Sequence, residues 1–457
     1  MSDDTTGERQ TPCASLAALG QIMQQRDLFG PVRDLVKIEQ KTVKHSPTDK
    51  LYDALIAILS GAHGLVEVNT RLRADPALQR AFGREACAEQ SVIQQTLDAC
   101  SEANVRELQQ ALTTIYRTHS QGYQHDYTAN WQVLDVDMSG LPCGPKAAFA
   151  TKGYFAKQRN RRGRQLGRVL ATRYQEIVVD QLFAGTIQLT AALQPLVQAA
   201  EAVLELNQQR RQRTLVRVDA GGGSVDDVNW LLARDYLVLA KDYSAARSRR
   251  LAKSVARWYA DPKVAGREVG LVVEPPTDYC RTVVRIAVRC QKATGRFSYG
   301  VLIAPSDLVP IWAVLGRCGA PPSDECGQVL AYVHAYDARG GGVETSLKVD
   351  KQGLGLSKRT KKRFRAQQMV TMLSTLAHNI VTWARGWLGQ QQPKLARYGI
   401  VRLVRDLFHI SGRILFDAVG HIVQIILNQA APMARMLADA VRPLLAHAQI
   451  AITLGET

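Results

Sequence analysis

Residues 336–351 read YDARGGGVETSLKVDK, placing Tyr336, Arg339, Glu344 and Lys351 within sixteen positions. Gly340, Gly341 and Gly342 lie between the arginine and the glutamate. This pattern predicts a helix that begins just after the glycines. On it Glu344, Lys348 and Lys351 fall at i, i+4 and i+7 and share one face. Carboxylate oxygen is a hard ligand for Mg²⁺, and lysine is a point charge for a phosphate. Such a face suits a place where a metal ion and a phosphate meet. A solvated Glu–Lys pair on an exposed helix has the same spacing, so the rest of the chain has to decide between them.

At 457 residues the chain is too long for one ordinary core, and roughly two to four domains are expected. Hydrophobic residues make up 46% and charged residues 22%, a globular composition rather than a disordered one. The formal net charge of +17 points to a polyanionic partner, nucleic acid or an anionic membrane surface. No apolar run is long enough to span a bilayer; the most apolar late stretch, 414–427, is broken by Asp417 and His421. The polar, acidic start of the chain is not expected to be a signal peptide. The eight cysteines form no CxxC pair, so a zinc site is not expected and reduced thiols in a cytoplasmic protein are.

Residues 1–15 read as a disordered lead, followed by a helical region to about residue 125. Ser46-Pro47 marks a helix start, and Leu51, Leu55 and Leu59 recur at helical spacing before Gly61. A second helix fits 90–100, and Ser101 caps a third that carries Val105, Leu108, Leu112 and Ile115 on one face. Short helices with tight turns can form a helix-turn-helix that reads DNA, or a plain bundle used for packing or dimerisation. At residues 131–138, WQVLDVDM is a strand whose alternation puts Asp135 and Asp137 on one face. Two carboxylates there are costly unless solvated or bound to a cation, which keeps metal ligation open beside a polar strand edge.

From Leu141 to Gln175 there is no acidic residue, while Lys146, Lys152, Lys157, Arg159, Arg161, Arg162, Arg164, Arg168 and Arg173 all fall within it. With Tyr154 and Phe155 interleaved, this block reads as a phosphate-binding surface. A hairpin over 167–183, a helix over 191–210, a strand over 214–219, a helix over 225–233 and a strand over 236–241 follow. Asp219 closes the strand TLVRVD, and the glycines 221–223 after it permit close approach of a backbone or substrate. In an open α/β sheet, ligands collect at such strand carboxyl ends. Residues 249–333 read as a β-rich insertion with strands at 269–274, 282–289, 300–304 and 327–333. Trp258 and Trp312 in it are expected to pack in a core. A long amphipathic helix carries Met369, Leu373, Leu376, Ile380, Trp383 and Trp387, and the tail adds a helix, a hairpin turning near Val419-Gly420 and a last amphipathic helix.

The acids Asp137, Asp219 and Glu344, on a first strand, at the end of a fourth and on a late helix, are arranged as in the ribonuclease H-like core of DDE transposases. The chain resembles most the bacterial insertion-sequence subgroup with a Y-x-x-R-x-x-x-E-x-x-x-x-x-x-K motif. Tyr336, Arg339, Glu344 and Lys351 fill its roles, except that four residues rather than three separate Arg339 from Glu344. The resemblance implies an α/β fold: a ribonuclease H-like core in two parts, 126–248 and 336–392, around a β-rich insertion at 249–335. A helical DNA-binding or assembly domain would occupy 1–125 and a mixed helical and hairpin tail, a candidate for dimerisation, 393–457. It further implies Asp137, Asp219 and Glu344 as catalytic ligands of two Mg²⁺ ions about 3.5–4 Å apart, with Mn²⁺ able to substitute. Asp135 is the alternative first acid, though Asp137-Met138-Ser139 matches the family better. Tyr336, Arg339, Lys348 and Lys351 would hold the phosphate, and Arg159, Arg161, Arg162 and Arg164 the duplex backbone. The implied partners are terminal inverted repeats and target DNA, bound by a homodimer, with no membrane partner. A different metal-dependent nuclease and a non-catalytic DNA-binding derivative remain as rival readings.

Overall fold

Val133, Leu134 and Val136 are buried in the computed structural model, and the strand they belong to, β1 (Gln132–Pro142), has a paired neighbour on each side. The structure describes residues 7–41, 44–155, 158 and 160–456. The chain divides into two units. One comprises Met1–Ser120, Lys146–Ala148 and Lys348–Thr457, and the other Gln121–Pro145 and Phe149–Leu347.

The second unit is a mixed α/β structure with one sheet of ten strands among the described residues. On one side of β1 lies an antiparallel group. The short β2 (Thr151–Lys152) and β4 (Glu176–Ala184) both pair with β3 (Arg162–Ala171), and β3 pairs with β1. On the other side β1 runs parallel to β5 (Thr214–Val218), and β5 parallel to β6 (Leu237–Lys241). Parallel neighbours need long crossovers, and the helices α1 (Leu189–Leu204) and α2 (Val225–Ala233) lie in them. Ser224 caps α2 by accepting from Asp227 N, as its position before an apolar periodic run predicts. Beyond β6 the sheet continues through strands of the β-rich segment. These are β7 (Tyr259–Ala260), β8 (Arg267–Leu271), β9 (Val283–Gln291) and β10 (Phe297–Pro305), with β10 antiparallel to β6.

The strand expected at 327–333 is instead part of a helix, α3 (Glu325–Arg339). Asp324 caps it by accepting from Gly327 N at 2.8 Å. Val329, Tyr332, Val333 and Tyr336 then recur at helical spacing against the sheet. The apolar run was read with the wrong period. Trp258 and Trp312 pack against apolar clusters of this segment as expected. Arg285 and Arg289 are taken up internally, Arg285 by the Glu274 carbonyl and Arg289 by Glu268 at 2.6 Å and the face of Trp258.

The first unit is mainly helical. Ser46 and Ser101 form capping boxes at the starts of the helices Pro47–Leu59 and Glu102–His119, and a third helix spans Gln90–Ala99. Its axis is the helix Phe364–Gln391, buried over most of its length. The basic residues ahead of that helix are largely used inside the unit. Arg359 bonds Ser374 and the Ala62 carbonyl, Lys361 bonds Gln94 at 2.9 Å, and Arg363 bonds the Asp98 carbonyl at 2.6 Å. Residues 7–11, expected to be disordered, form a strand. It pairs with Gly412–Phe416, which pairs with Ile422–Asn428, which runs parallel to Ala451–Gly455. Residues 1–6 of that expected lead lie outside the described residues. A five-residue strand with polar content gains its hydrogen bonds only from a partner some 400 positions away, so nothing local announces it.

In the second unit Asp135 and Arg217 face each other in register across β1 and β5. Arg217 Nε and Nη2 donate to the two Asp135 oxygens at 2.6 and 2.8 Å, and Nη1 donates to the Ala335 carbonyl of α3 at 2.6 Å. Thr172 adds a hydroxyl to Asp135 at 2.7 Å. Both charges are fully buried. Breaking such a pair leaves a charge without compensation, so Asp135→Ala is expected to destabilise the protein by about 3–5 kcal/mol. Denaturant unfolding measures this; a loss below about 1 kcal/mol, the scale of an exposed pair, would refute it.

Candidate active site

The three acids expected from the sequence reach one region from three elements. Asp137 sits on β1, on the same face as Asp135, and accepts from Met138 N at 2.8 Å. Asp219 follows β5, its Oδ1 fixed by Gly221 N at 2.8 Å. The glycines after it do allow a close approach, and the approaching group is the chain's own backbone. A Cβ on Gly223 would lie 1.7 Å from the Lys241 carbonyl oxygen at the end of β6.

Glu344 arrives on the chain just past the glycines, as expected. α3 gives way at the glycine run to a kinked turn at Gly342, and a second helix follows it, with α4 spanning Thr345–Gly353. Gly342 leaves helical geometry within the turn, at φ −91° and ψ −110°. Across this kink Arg339 Nη1 donates to Glu344 Oε1 at 2.8 Å, so the extra residue of the motif does not part the two. A Cβ on Gly342 would fall 2.4 Å from Asp135 Oδ2 and 2.9 Å from Thr172, so only glycine lets the turn rest on the buried pair. Arg168 supports the same turn from the sheet: it grips Asp180 with two nitrogens and bonds the Ser346 hydroxyl at 2.7 Å.

Arg339 is the hub of the site. Beyond Glu344, its Nη2 lies 3.2 Å from Asp137 Oδ2 and donates to the Val136 carbonyl at 3.2 Å. Its side chain is 4% exposed, while that of Glu344 is 55% exposed. Among the described residues its Nε has no hydrogen-bond partner. Burial opposes the guanidinium charge, but Asp137 and Asp219 outweigh it and hold the group above its ordinary value. Burial pushes the Asp137 carboxyl up to about 6; Arg339 works against this, while Asp219 and Glu344 add to it. Tyr336 is held well above an ordinary phenol, first by burial, so it stays a proton donor. It also lines a pocket of about 250 Å³ together with Lys241, Arg267, Tyr299 and Gly300.

These carboxylates are donors of the chemistry Mg²⁺ requires. In the arrangement present, however, the Arg339 guanidinium bridges Asp137 and Glu344. Among the described residues no group of three His, Cys, Asp or Glu side chains is disposed to hold a metal ion. Arg339 compensates these acids only in part. Asp135 is no substitute for Asp137, because both its oxygens are committed to Arg217 and Thr172.

The other expected residues divide. Lys348 is exposed and Lys351 half-buried on α4; the boundary between the units falls after Leu347, so both belong to the first unit. Arg159 and Lys157 lie outside the described residues. Arg161 and Arg162 are exposed, and so is Tyr154 at 73%. Arg164, expected on the duplex backbone, is 1% exposed within β3, and Arg168 is buried as well. Strand β3 is paired along both edges and packed against α1 through Gly167 and Leu196, so the acid-free stretch is not one continuous surface. Arg217 was not among the expected residues, and Arg168 was expected on the phosphate-binding surface rather than in a buried pair with Asp180. An arginine inside an apolar strand such as TLVRVD requires a buried counter-charge, and that was the available signal.

No protein-family model matches the chain, and no curated protein matches it. Among solved structures it is similar to a piggyBac transposase in a synaptic complex with hairpin DNA. The two are 11% identical over 85% of this chain and 78% of that one, with a TM-score of 0.46.

The raised Asp137 carboxyl gives a stability test in metal-free buffer. A folded-state pKa above the unfolded one stabilises the fold at low pH, and that contribution is lost as pH rises from about 4 through about 6. Its full size is on the order of 3 kcal/mol at most. Asp137→Asn is therefore expected to show less loss of melting temperature than the wild type across that window. Parallel pH profiles of the two proteins would refute the assignment.

Proposed function

We propose that this protein is a DNA transposase with a ribonuclease H-like catalytic core, cleaving and joining strands at the terminal inverted repeats of its element. One observation carries the reading. Asp137, Asp219 and Glu344 come from a central strand, a neighbouring strand end and a kinked helix, and all three act on one buried arginine. The order of elements around them, three antiparallel strands followed by two helix–strand crossovers, supports a ribonuclease H-like core. The net charge of +17 supports a polyanionic partner.

Asp137, Asp219 and Glu344 would hold two Mg²⁺ ions, or Mn²⁺, which supply an activated water and stabilise a leaving 3′ oxygen. The chain's own residues would do the rest. Arg339 compensates the acids in the free protein and turns to the scissile phosphate when they take a cation. Tyr336, protonated and beside the pocket with Lys241, donates to a phosphate oxygen or packs under a base. Lys348 and Lys351 supply point charges for the phosphate, and Arg161 and Arg162 follow the duplex backbone. Terminal-repeat recognition by a homodimer, and membership of the bacterial insertion-sequence subgroup with the Y-R-E-K motif, belong to the same proposal. The described chain has no helix long and apolar enough to cross a membrane.

The test is strand cleavage of a labelled duplex ending in the repeats that flank the gene, with Mg²⁺, with Mn²⁺ and with EDTA. Wild type is expected to cut at the repeat end with either metal. Glu344→Gln and Asp219→Asn are expected to abolish cutting while duplex affinity changes less than about threefold, since a removed metal ligand is not a phosphate contact. Cutting without regard to the repeats would make the protein a general metal-dependent nuclease. Binding with no cutting under any metal would make it a DNA-binding derivative.

A further inference from the structure

The first unit contains a pocket of about 650 Å³ that has no part in the site above. Six cations line it: Arg9, Lys41, Lys44, Lys50, Arg73 and Arg80. Two acids, Glu85 and Glu89, share the wall, so positive charge dominates three to one by simple count. Lys41, Lys44 and Arg73 are exposed, and among the described residues no carboxylate lies within ion-pair distance of them. Lys50 is 4% exposed, and its Nζ bonds Gln40 Oε1 at 3.3 Å, another residue of the lining. Burying a lysine against a neutral amide rather than a carboxylate is unfavourable, and it suits a site whose counter-charge arrives with a ligand.

The surrounding fold holds the cations in place. Asp49, Asp53 and His45 are drawn to Arg84, which bonds Asp53 at 2.9 Å and the Ala86 carbonyl at 3.2 Å. Asp49 and Asp53, beside the pocket but not in its lining, are thereby taken up by an arginine that does not line it either. Gln79 bonds the Leu72 and Arg73 carbonyls and Cys87 N, tying the turn that carries Arg73 to the opposite wall. The result is a cationic cavity of about 650 Å³, larger than a single phosphate needs.

We propose that this pocket seats consecutive phosphates of a nucleic-acid backbone, giving the first unit a sequence-independent DNA contact separate from the acids of the second. Lys41, Lys44 and Arg73 pair with the phosphates at the rim, and Lys50 meets the one seated deepest. The inference shares with the proposed function only the premise of a nucleic-acid partner, and it does not require cleavage.

Binding is measured on the full-length protein in EDTA, using a short duplex of random sequence across a salt series. The exposed pair Lys44→Ala/Arg73→Ala is compared with Lys394→Ala/Arg397→Ala, which removes equal charge from exposed positions of the same unit outside the pocket. The pocket variant is expected to lose about tenfold or more in affinity at moderate salt, and its log–log salt slope to fall by about two, one per lost phosphate contact. The control is expected to stay near wild type. Equal losses in both variants, or none in the pocket variant, would overturn the proposal. ATP and pyrophosphate are titrated as competitors. Tight binding of either to the wild type but not to the pocket variant, with duplex affinity equal in the two, would assign the pocket to a soluble phosphate ligand instead. A protein that fails to cleave yet shows the pocket-dependent salt slope loses the transposase reading and keeps this one.

Discussion

The buried Asp135–Arg217 pair is the constraint on which the second unit depends. Two charges taken out of water are tolerable only when every donor and acceptor is met, and here four elements are drawn in to meet them. β1 supplies the carboxylate, β5 the guanidinium, the β3–β4 turn the Thr172 hydroxyl, and the end of α3 a carbonyl. The pair therefore fixes where α3 ends relative to the sheet. It also requires glycine at 342, because the chain leaving α3 passes over Asp135 with no room for a Cβ there. The chain kinks at Gly342, and Glu344 lies just beyond.

A second charge arrangement sits on the first. Asp137, two residues along β1, has no arginine of its own from the sheet and shares Arg339 with Glu344. Three carboxylates around one buried guanidinium are not neutralised, which is why burial and the neighbouring acids can push Asp137 up to about 6 against the pull of Arg339. The same two arginine–carboxylate systems differ in use: the one at Asp135 is saturated and structural, while the one at Asp137 is under-compensated and reaches Glu344 at the surface.

Much of this was legible in the residues. The capping boxes at Ser46 and Ser101, the strand WQVLDVDM and the hairpin after it, and the cap at Ser224 all follow from local chemistry, and they stand where the sequence puts them. Asp137 and Asp219 stand out because they lie on or close apolar strand-like runs, whereas Glu344 was joined to them by the family resemblance. Errors arose where the deciding partner is remote. Arg164 has the look of a surface cation in an acid-free stretch, yet β3 is enclosed by its two neighbours. Residues 327–333 carry β-branched and aromatic side chains, but an Asp cap and packing on the sheet select a helix. The strand at 7–11 exists only through its partner at 412–416.

By itself the sequence determined the class of fold, the alternation that sets Asp135 and Asp137 on one face, and the cluster Tyr336, Arg339 and Glu344, because propensity, capping and periodicity act over a few residues. Which aspartate is spent on structure was decided by the tertiary structure alone. So were the contact of Arg339 with Glu344 across the kink at Gly342, and the assignment of a cation to the core or to the surface. Each depends on a charge or a backbone brought close by the fold from far along the chain. Electrostatic and steric forces act through space, and the spacing of residues in sequence does not record that distance.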